Sequence, residues 1–367
     1  MLTHRCGPRS FLCSADNESR TSIPAAAGKR PFTVDLHCHI VTPEVEALVA
    51  DREEKLAEPE LQLRAMGAAS VEHNLKHMMP AAVPKLTDLD VRLDDMERMC
   101  VDLQVISPTP TQYYYWADPD LARELVRTQN ESIAAECGNA PGRLAGLGNL
   151  ALQHPELAVE QMDYAIRTLG LKGFEVSTSV NGLELADEAY APVWAKAEEL
   201  GCVIFVHPFG TSLGERMNRY YLQNIIGQPL ETTVALSYLI FSGTLDRHPG
   251  LKIVAAHGGG YLPAFPCRSD HGFSVRPEAQ QMDKRPSDYL KRIWFDSLVY
   301  EPHSLRHLID QVGVGQVVVG TDYPFDMGSY QVHALINDVP GLTDEERRAL
   351  LGGNALDLLG LTDMATT

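Results

Sequence analysis

The stretch Phe32-Thr33-Val34-Asp35-Leu36-His37-Cys38-His39-Ile40 anchors the fold. Apolar and β-branched residues lead into two histidines two positions apart, the pattern of a buried strand. Side chains alternate along a strand, so His37 and His39 are expected on one face, and Leu36 and Cys38 on the other. Two imidazoles held by one rigid strand suit a divalent metal such as zinc. An H-x-H pair also arises by chance, so its weight depends on where other candidate ligands fall.

Outward from this strand, apolar runs of strand length alternate with stretches of helical period. The strand candidates are Thr33–Ile40, Leu103–Pro108, Leu144–Leu152, Leu171–Ser177, Cys202–His207, Leu251–His257, Ile293–Val299 and Val317–Thr321. Amphipathic stretches separate them: Leu93–Met99, Pro119–Cys137, Pro155–Leu169, Ala191–Leu200, Thr232–Leu245 and His303–Val312. Asp118-Pro119, His154-Pro155 and Glu301-Pro302 read as helix starts, with proline in the first turn. Eight βα units with strands this apolar imply an α/β fold, a closed parallel (β/α)8 TIM barrel over residues 31–362. An open doubly wound sheet is the alternative, but no G-x-G-x-x-G follows the first strand. Gly258-Gly259-Gly260 follows a late strand and carries little weight as a phosphate loop.

Val41–Thr87 is too long for a βα connection and is expected as an insertion over the active face. Phe209–Pro229, with Arg216, Arg219, Tyr220 and Tyr221, reads as a second cover. Residues 1–30 lack the apolar core of a secretory signal and read as a flexible extension. Asp16 and Glu18 count against a transit peptide. Residues 363–367 are read as a C-terminal tail.

The chain has 367 residues, of which 44% are hydrophobic and 22% charged, as expected of a soluble protein with a substantial core. No apolar run reaches the length of a membrane span. A formal charge of −18 repels polyanions and argues against nucleic-acid or anionic-membrane partners. The seven cysteines (Cys6, Cys13, Cys38, Cys100, Cys137, Cys202 and Cys267) form no C-x-x-C pair and are odd in number. A reducing, cytoplasmic setting is expected.

In a βα barrel the C-terminal ends of the strands assemble the site. His37 and His39 close the first candidate strand. His207 ends Val203-Ile204-Phe205-Val206-His207, His257 ends Ile253-Val254-Ala255-Ala256-His257, and Asp322 follows Val317-Val318-Val319-Gly320-Thr321. Each comes after a run of core residues, where a polar group is costly unless it has a partner. Taken singly, each is equally a satisfied core histidine or a capping aspartate. Five at such positions point to one site.

These motifs, with Val206-His207-Pro208, Ala256-His257-Gly258-Gly259-Gly260 and Gly320-Thr321-Asp322-Tyr323-Pro324-Phe325, together resemble the amidohydrolase superfamily. More narrowly, they resemble its branch of aminocarboxymuconate semialdehyde decarboxylase and related nonoxidative decarboxylases, over about residues 32–362. The resemblance implies a mononuclear site, usually zinc, with manganese in some relatives. It assigns His37, His39, His207 and Asp322 as metal ligands and His257 as the catalytic histidine. Gly173-Phe174-Glu175-Val176-Ser177 lacks the lysine that binuclear relatives carbamylate, which favours one metal. Three neutral imidazoles and one carboxylate would leave a positive site with an open position.

A decarboxylase must bind an anion. The resemblance matches Arg268 and Arg276 to substrate arginines, reached in the family from a neighbouring subunit, and so implies a homodimer or higher homo-oligomer. A surface ion pair is the other reading of each arginine. The family's remaining substrate arginine lies twelve residues before the position of Arg92, which here is Pro80. Lys76, His77 or Lys85 would have to substitute, so the aminocarboxymuconate substrate itself is not implied. Tyr323 and Phe325, beside Asp322, are the expected substrate wall. Gln112-Tyr113-Tyr114-Tyr115-Trp116 either lines the site or packs the insertion.

The expected activity is therefore a metal-dependent nonoxidative decarboxylation of a small conjugated or aromatic carboxylate, with Asp322 helping His257 manage the proton. The alternative on the same scaffold is metal-dependent hydrolysis of a lactone or amide. A noncatalytic small-molecule binding barrel is a third reading.

Overall fold

Eight parallel strands form one sheet in the order β1-β2-β3-β4-β7-β8-β9-β10 in this computed structural model, which describes residues 30–366. They are β1 (Val34–Ile40), β2 (Leu103–Pro108), β3 (Leu144–Gly148), β4 (Gly173–Val176), β7 (Val203–Val206), β8 (Lys252–Ala255), β9 (Trp294–Asp296) and β10 (Val317–Val318). A two-stranded antiparallel hairpin, β5 (Ser179–Val180) and β6 (Leu183–Glu184), interrupts the series between β4 and β7. The sheet closes on itself: Leu36 N donates to Val319 O at 2.9 Å, and His39 N to Tyr323 O at 2.8 Å. The expected (β/α)8 barrel is thus present, with every expected strand found, β2 at its full length and the others shorter. The reading of residues 1–30, with Cys6 and Cys13, lies outside the described residues except for Arg30.

The helices follow their sequence signals. Pro119–Asn139 begins where Asp118 accepts from the amides of Asp120 and Leu121, and Leu89–Met99 is capped likewise by Asp88. Pro155–Arg167 and Pro302–Val312 start at their prolines without a side-chain cap. The long stretch expected at Thr232–Leu245 instead starts earlier, at Gln228, and ends at Phe241. Gly243, at φ +72°, turns the chain there into a short helix, Thr244–Arg247.

Two apolar layers result. The inner one joins Leu36, Val105, Leu147, Phe205, Val254, Ala256 and Val318, and the helix Asn354–Leu359 adds Leu356 and Leu359 to it. The outer layer lies between strands and helices and includes Cys38, Ile106, Phe174, Ile204 and Ile253. Leu36 and Cys38 were expected on the same face, and this is corrected. The pairing register of β1 with β2 shifts between Asp35 and Cys38, so one extra residue reverses the alternation there.

Residues 43–87 are helical: Pro43–Val49, Glu53–Met66, Ala68–His73, a π-helical turn Asn74–Met78, and Met79–Thr87. Val45 and Val49 pack with Leu121 and Leu125, whereas Glu53–Met66 buries none of its residues. At Gly67, φ +78°, the backbone passes so close to Asn218 that a Cβ would lie 2.0 Å from its carbonyl oxygen. His73 Nε2 lies 3.3 Å from Asp326 Oδ2, close to Asp322 in the chain. Among the described residues no helix is long and apolar enough to cross a membrane.

Candidate metal centre and active site

The strand ends bring five of the expected residues together. One donor atom each from His37, His207, His257 and Asp322 all lie within 4.8 Å of one another. His39 joins them, its Nε2 3.2 Å from Asp322 Oδ1, and His37 Nε2 is 3.4 Å from the same oxygen. The ring of His207 is centred 5.0 Å from those of His37, His39 and His257. His257 Nε2 stands 3.9 Å from Asp322 Oδ2. His257 and Asp322 both have left-handed backbones, at φ +55° and +60°, which aim their side chains back across the barrel mouth. Asp322 is held in that turn by its amide, which donates to His37 O at 2.8 Å.

Beneath the cluster, polar groups orient two of the rings. His37 Nδ1 donates to Asp296 Oδ2 at 2.6 Å, and His39 Nδ1 to Pro108 O at 3.0 Å. Both rings therefore present Nε2 to the centre, the arrangement of metal-ligating histidines. Burial opposes charge on His37, but the carboxylates of Asp322 and Asp296 outweigh it and raise its pKa to about 10. Burial likewise opposes ionisation of Asp322, yet His37 and the neighbouring rings hold it well below the usual carboxylate range. Burial, reinforced by the adjoining histidines, pushes His207 well down.

The donor set fits a cation. His37 Nε2, His39 Nε2, both nitrogens of His207 and His257 Nδ1 are buried without a hydrogen-bond partner among the described residues. Buried nitrogens left unpaired cost about 1–3 kcal/mol each. Two of them, His37 Nε2 and His39 Nε2, face the Asp322 carboxylate, and imidazoles with a carboxylate are the donor chemistry of a divalent metal site.

Glu175 lies beside this centre rather than in it. It is fully buried and accepts from Ser107 Oγ and from Tyr113 OH, the latter at 2.6 Å; its Oε2 is 3.6 Å from His39 Nδ1. Burial raises its pKa despite His39 and those hydrogen bonds. The aromatic run after β2 is spent in packing. Tyr113 stacks on Tyr115 at 5.3 Å, Tyr114 OH donates to Glu46 at 2.6 Å, and Tyr115 OH accepts from Ser177 N.

Phe325 lies beside the cluster, its ring 5.5 Å from that of His39. Tyr323 does not share that face, a correction to its expected place in the substrate wall. It is 1% exposed, donates to Asp95 Oδ2 at 3.0 Å, and lies under the Arg92 guanidinium, 5.0 Å away. Arg268 is exposed on the helix Pro266–Val275, and its guanidinium has no hydrogen bond or ion pair among the described residues. Arg276, just past that helix, is exposed and paired with Glu278. Lys76 and Lys85 pair with Glu72 and Asp95, and the His77 ring packs against His73.

Asp296 was not singled out from the sequence. It ends β9, and the same strand-end rule applied to Trp294-Phe295-Asp296 finds it.

Residues 34–361 match the amidohydrolase family model. The chain belongs to the amidohydrolase family. This amidohydrolase is 38% identical over 276 residues to the 2-amino-3-carboxymuconate-6-semialdehyde decarboxylase of Dictyostelium discoideum, covering 75% of this chain and 77% of that one. Among solved structures it resembles 5-carboxyvanillate decarboxylase from Sphingomonas paucimobilis, with a TM-score of 0.79 and 25% identity over 90% of this chain and 99% of that one. It also shares the fold of a 5-carboxyvanillate decarboxylase from Novosphingobium aromaticivorans, complexed with manganese and 4-hydroxy-3-methoxy-5-nitrobenzoic acid. That TM-score is 0.80, at 21% identity over 90% of this chain and 96% of that one.

Proposed function

We propose that this amidohydrolase is a metal-dependent nonoxidative decarboxylase of a small aromatic or conjugated carboxylate. The observation that carries this is the set of unpartnered imidazole nitrogens around Asp322, in a chain so similar to a named decarboxylase. The cluster alone would serve a hydrolase equally; the similarity favours carbon dioxide release over lactone or amide hydrolysis.

His37, His39, His207 and Asp322 would hold one zinc ion, with manganese the alternative. When bound, the metal supplies Lewis acidity to a substrate oxygen. The substrate must itself accept the electrons left when the bond to the carboxylate breaks, as an enol, phenol or imine conjugated to it can. His257 would deliver the proton that replaces the carboxylate, and Asp322 Oδ2, 3.9 Å from its Nε2, would stabilise its charged form. Phe325 flanks the substrate. Arg268, exposed and without a partner among the described residues, would reach the carboxylate in a neighbouring subunit of a homodimer, with Arg276 as the second candidate once released from Glu278. Cys38, Cys100, Cys137, Cys202 and Cys267 are all free, which suits a reducing compartment such as the cytoplasm.

The test is a panel of hydroxybenzoates, hydroxynaphthoates and carboxymuconate-type acids assayed for carbon dioxide, beside lactones and amides. Stoichiometric carbon dioxide without redox change is expected. His257→Ala should keep its metal while losing about 10²–10⁴-fold in turnover. Turnover confined to lactones and amides, with solvent ¹⁸O in the product acid, would overturn the proposal.

A further inference from the structure

We propose that Asp296 is a positioning residue that couples the metal site to the proton-transfer histidine, one carboxylate fixing both the His37 ring and the backbone of His257. The inference rests on the ligand and proton roles proposed above. Asp296 is fully buried and sits at the end of β9. Its Oδ2 accepts from His37 Nδ1 at 2.6 Å and from the His257 amide at 2.8 Å. Its Oδ1 accepts from the amides of Gly258 at 2.7 Å and Leu298 at 3.1 Å.

An ionised carboxylate only accepts, so it holds a proton on His37 Nδ1, and Nε2 is then the nitrogen whose lone pair a metal would take. The same group pins two successive amides of a left-handed turn, His257 at φ +55° and Gly258 at +61°. Among the described residues the His257 ring has no hydrogen bond of its own at Nδ1. Its place therefore depends on the backbone that Asp296 holds. A pairing of one ligand ring with one acid–base residue through a single side chain makes metal affinity and turnover sensitive to the same atom pair.

Asp296→Asn removes the double role in the turn of its amide that sets the fewer donors against one another. With its NH₂ in the place of Oδ2, it meets the His257 N–H donor to donor and drives the His37 proton onto Nε2, where it blocks the metal. With its NH₂ in the place of Oδ1, its oxygen would still accept from His37 and the His257 amide, but the NH₂ would oppose two amide donors, Gly258 and Leu298, instead of one, so the first turn is favoured. Zinc affinity is read by competition with a chromophoric chelator, and turnover at saturating zinc in wild type, Asp296→Asn, His257→Ala and the double variant. The expected results are about 10–100-fold weaker zinc binding for Asp296→Asn and, at saturating zinc, no further loss of turnover when it is added to His257→Ala. A general structural defect would multiply the two losses instead.

Unchanged zinc affinity, or multiplying losses, would overturn the inference. Absence of zinc binding by the wild type would overturn the metal site on which it rests. If Asp296→Asn does not fold, the ring nitrogens of His37 in zinc-loaded wild type decide by NMR. A proton on Nδ1, shifted downfield by the carboxylate, supports the coupling, and a proton on Nε2 refutes it.

Discussion

Metal removal should destabilise this protein by an amount that the site itself sets. A divalent ion would pair the bare nitrogens of His37, His39 and His207, each a cost of about 1–3 kcal/mol while unpaired. Zinc present at about 1,000 times its dissociation constant adds about 4 kcal/mol to unfolding. Unfolding entropy near 60 °C is about 2.1 cal/mol/K per residue, so about 330 folded residues give about 0.7 kcal/mol/K. The melting temperature should therefore fall by about 6 °C on dialysis against a chelator and return with zinc. His207→Ala is the control. The His207 ring makes no hydrogen bond among the described residues, so truncating it breaks none, but it takes a ligand from the set and should leave melting insensitive to chelator. Differential scanning fluorimetry with metal analysis of the same samples reads both. A wild type whose melting ignores chelator and added zinc, with no metal bound, would refute the reasoning. So would a His207→Ala protein that responds as fully as wild type.

Arg268→Ala and His257→Ala, each inactive alone, should regain activity when mixed under subunit exchange, because a hybrid site receives both wild-type residues. No recovery after verified exchange would count against a shared site. Tyr323→Phe removes one buried hydrogen bond to Asp95, which keeps Lys85 and Arg98 as partners. About 1 kcal/mol should be lost, seen as a drop of one or two degrees in melting by the ~0.7 kcal/mol/K above, with turnover within about twofold. A tenfold fall in turnover at unchanged melting would return Tyr323 to the substrate. Burial works against ionisation of Glu46, but hydrogen bonds from Lys55, Tyr114 and Gln112 hold its pKa below the ordinary 4.5. Its stabilisation is thus complete above the unfolded value and lost as pH falls through the lowered one. Urea midpoints at pH 7 and pH 4 should show a shallower acid loss for Glu46→Gln than for wild type, and identical slopes would contradict this.

The site was legible where chemistry and topology coincide. His37, His39, His207, His257 and Asp322 each follow an apolar run of strand length, and a parallel barrel gathers such ends at one mouth. Asp296 obeys the same rule but was passed over, because Ile293–Val299 reads as one continuous strand whereas β9 stops at Asp296. Tyr323 is adjacent to Asp322 in sequence, but Asp322 has a left-handed backbone beyond the end of β10, so adjacency there does not say which way the next side chain faces. Arg268 and Arg276 came only from resemblance. No periodicity or spacing in this chain shows what an exposed arginine on a surface helix is for.

The register shift in β1 was illegible, because it depends on what β1 pairs with on both sides. Had the strand alternated strictly with His37 and His39 inward, Asp35 would point into the layer that holds Phe205, Val254 and Val318. An ionised carboxylate there would have no partner. The extra residue puts Leu36 into that layer instead and turns Asp35 toward Gln104, which alternates away from Leu103 and Val105. There Asp35 accepts from Gln104 Nε2 at 3.0 Å, Thr321 N at 3.0 Å and Thr321 Oγ1 at 2.6 Å, although burial still raises its pKa to about 6. The same bonds tie β1 to the segment that carries Asp322. One added residue thus lets a single strand fill the apolar layer, present two imidazoles above it, and fix the carboxylate they face.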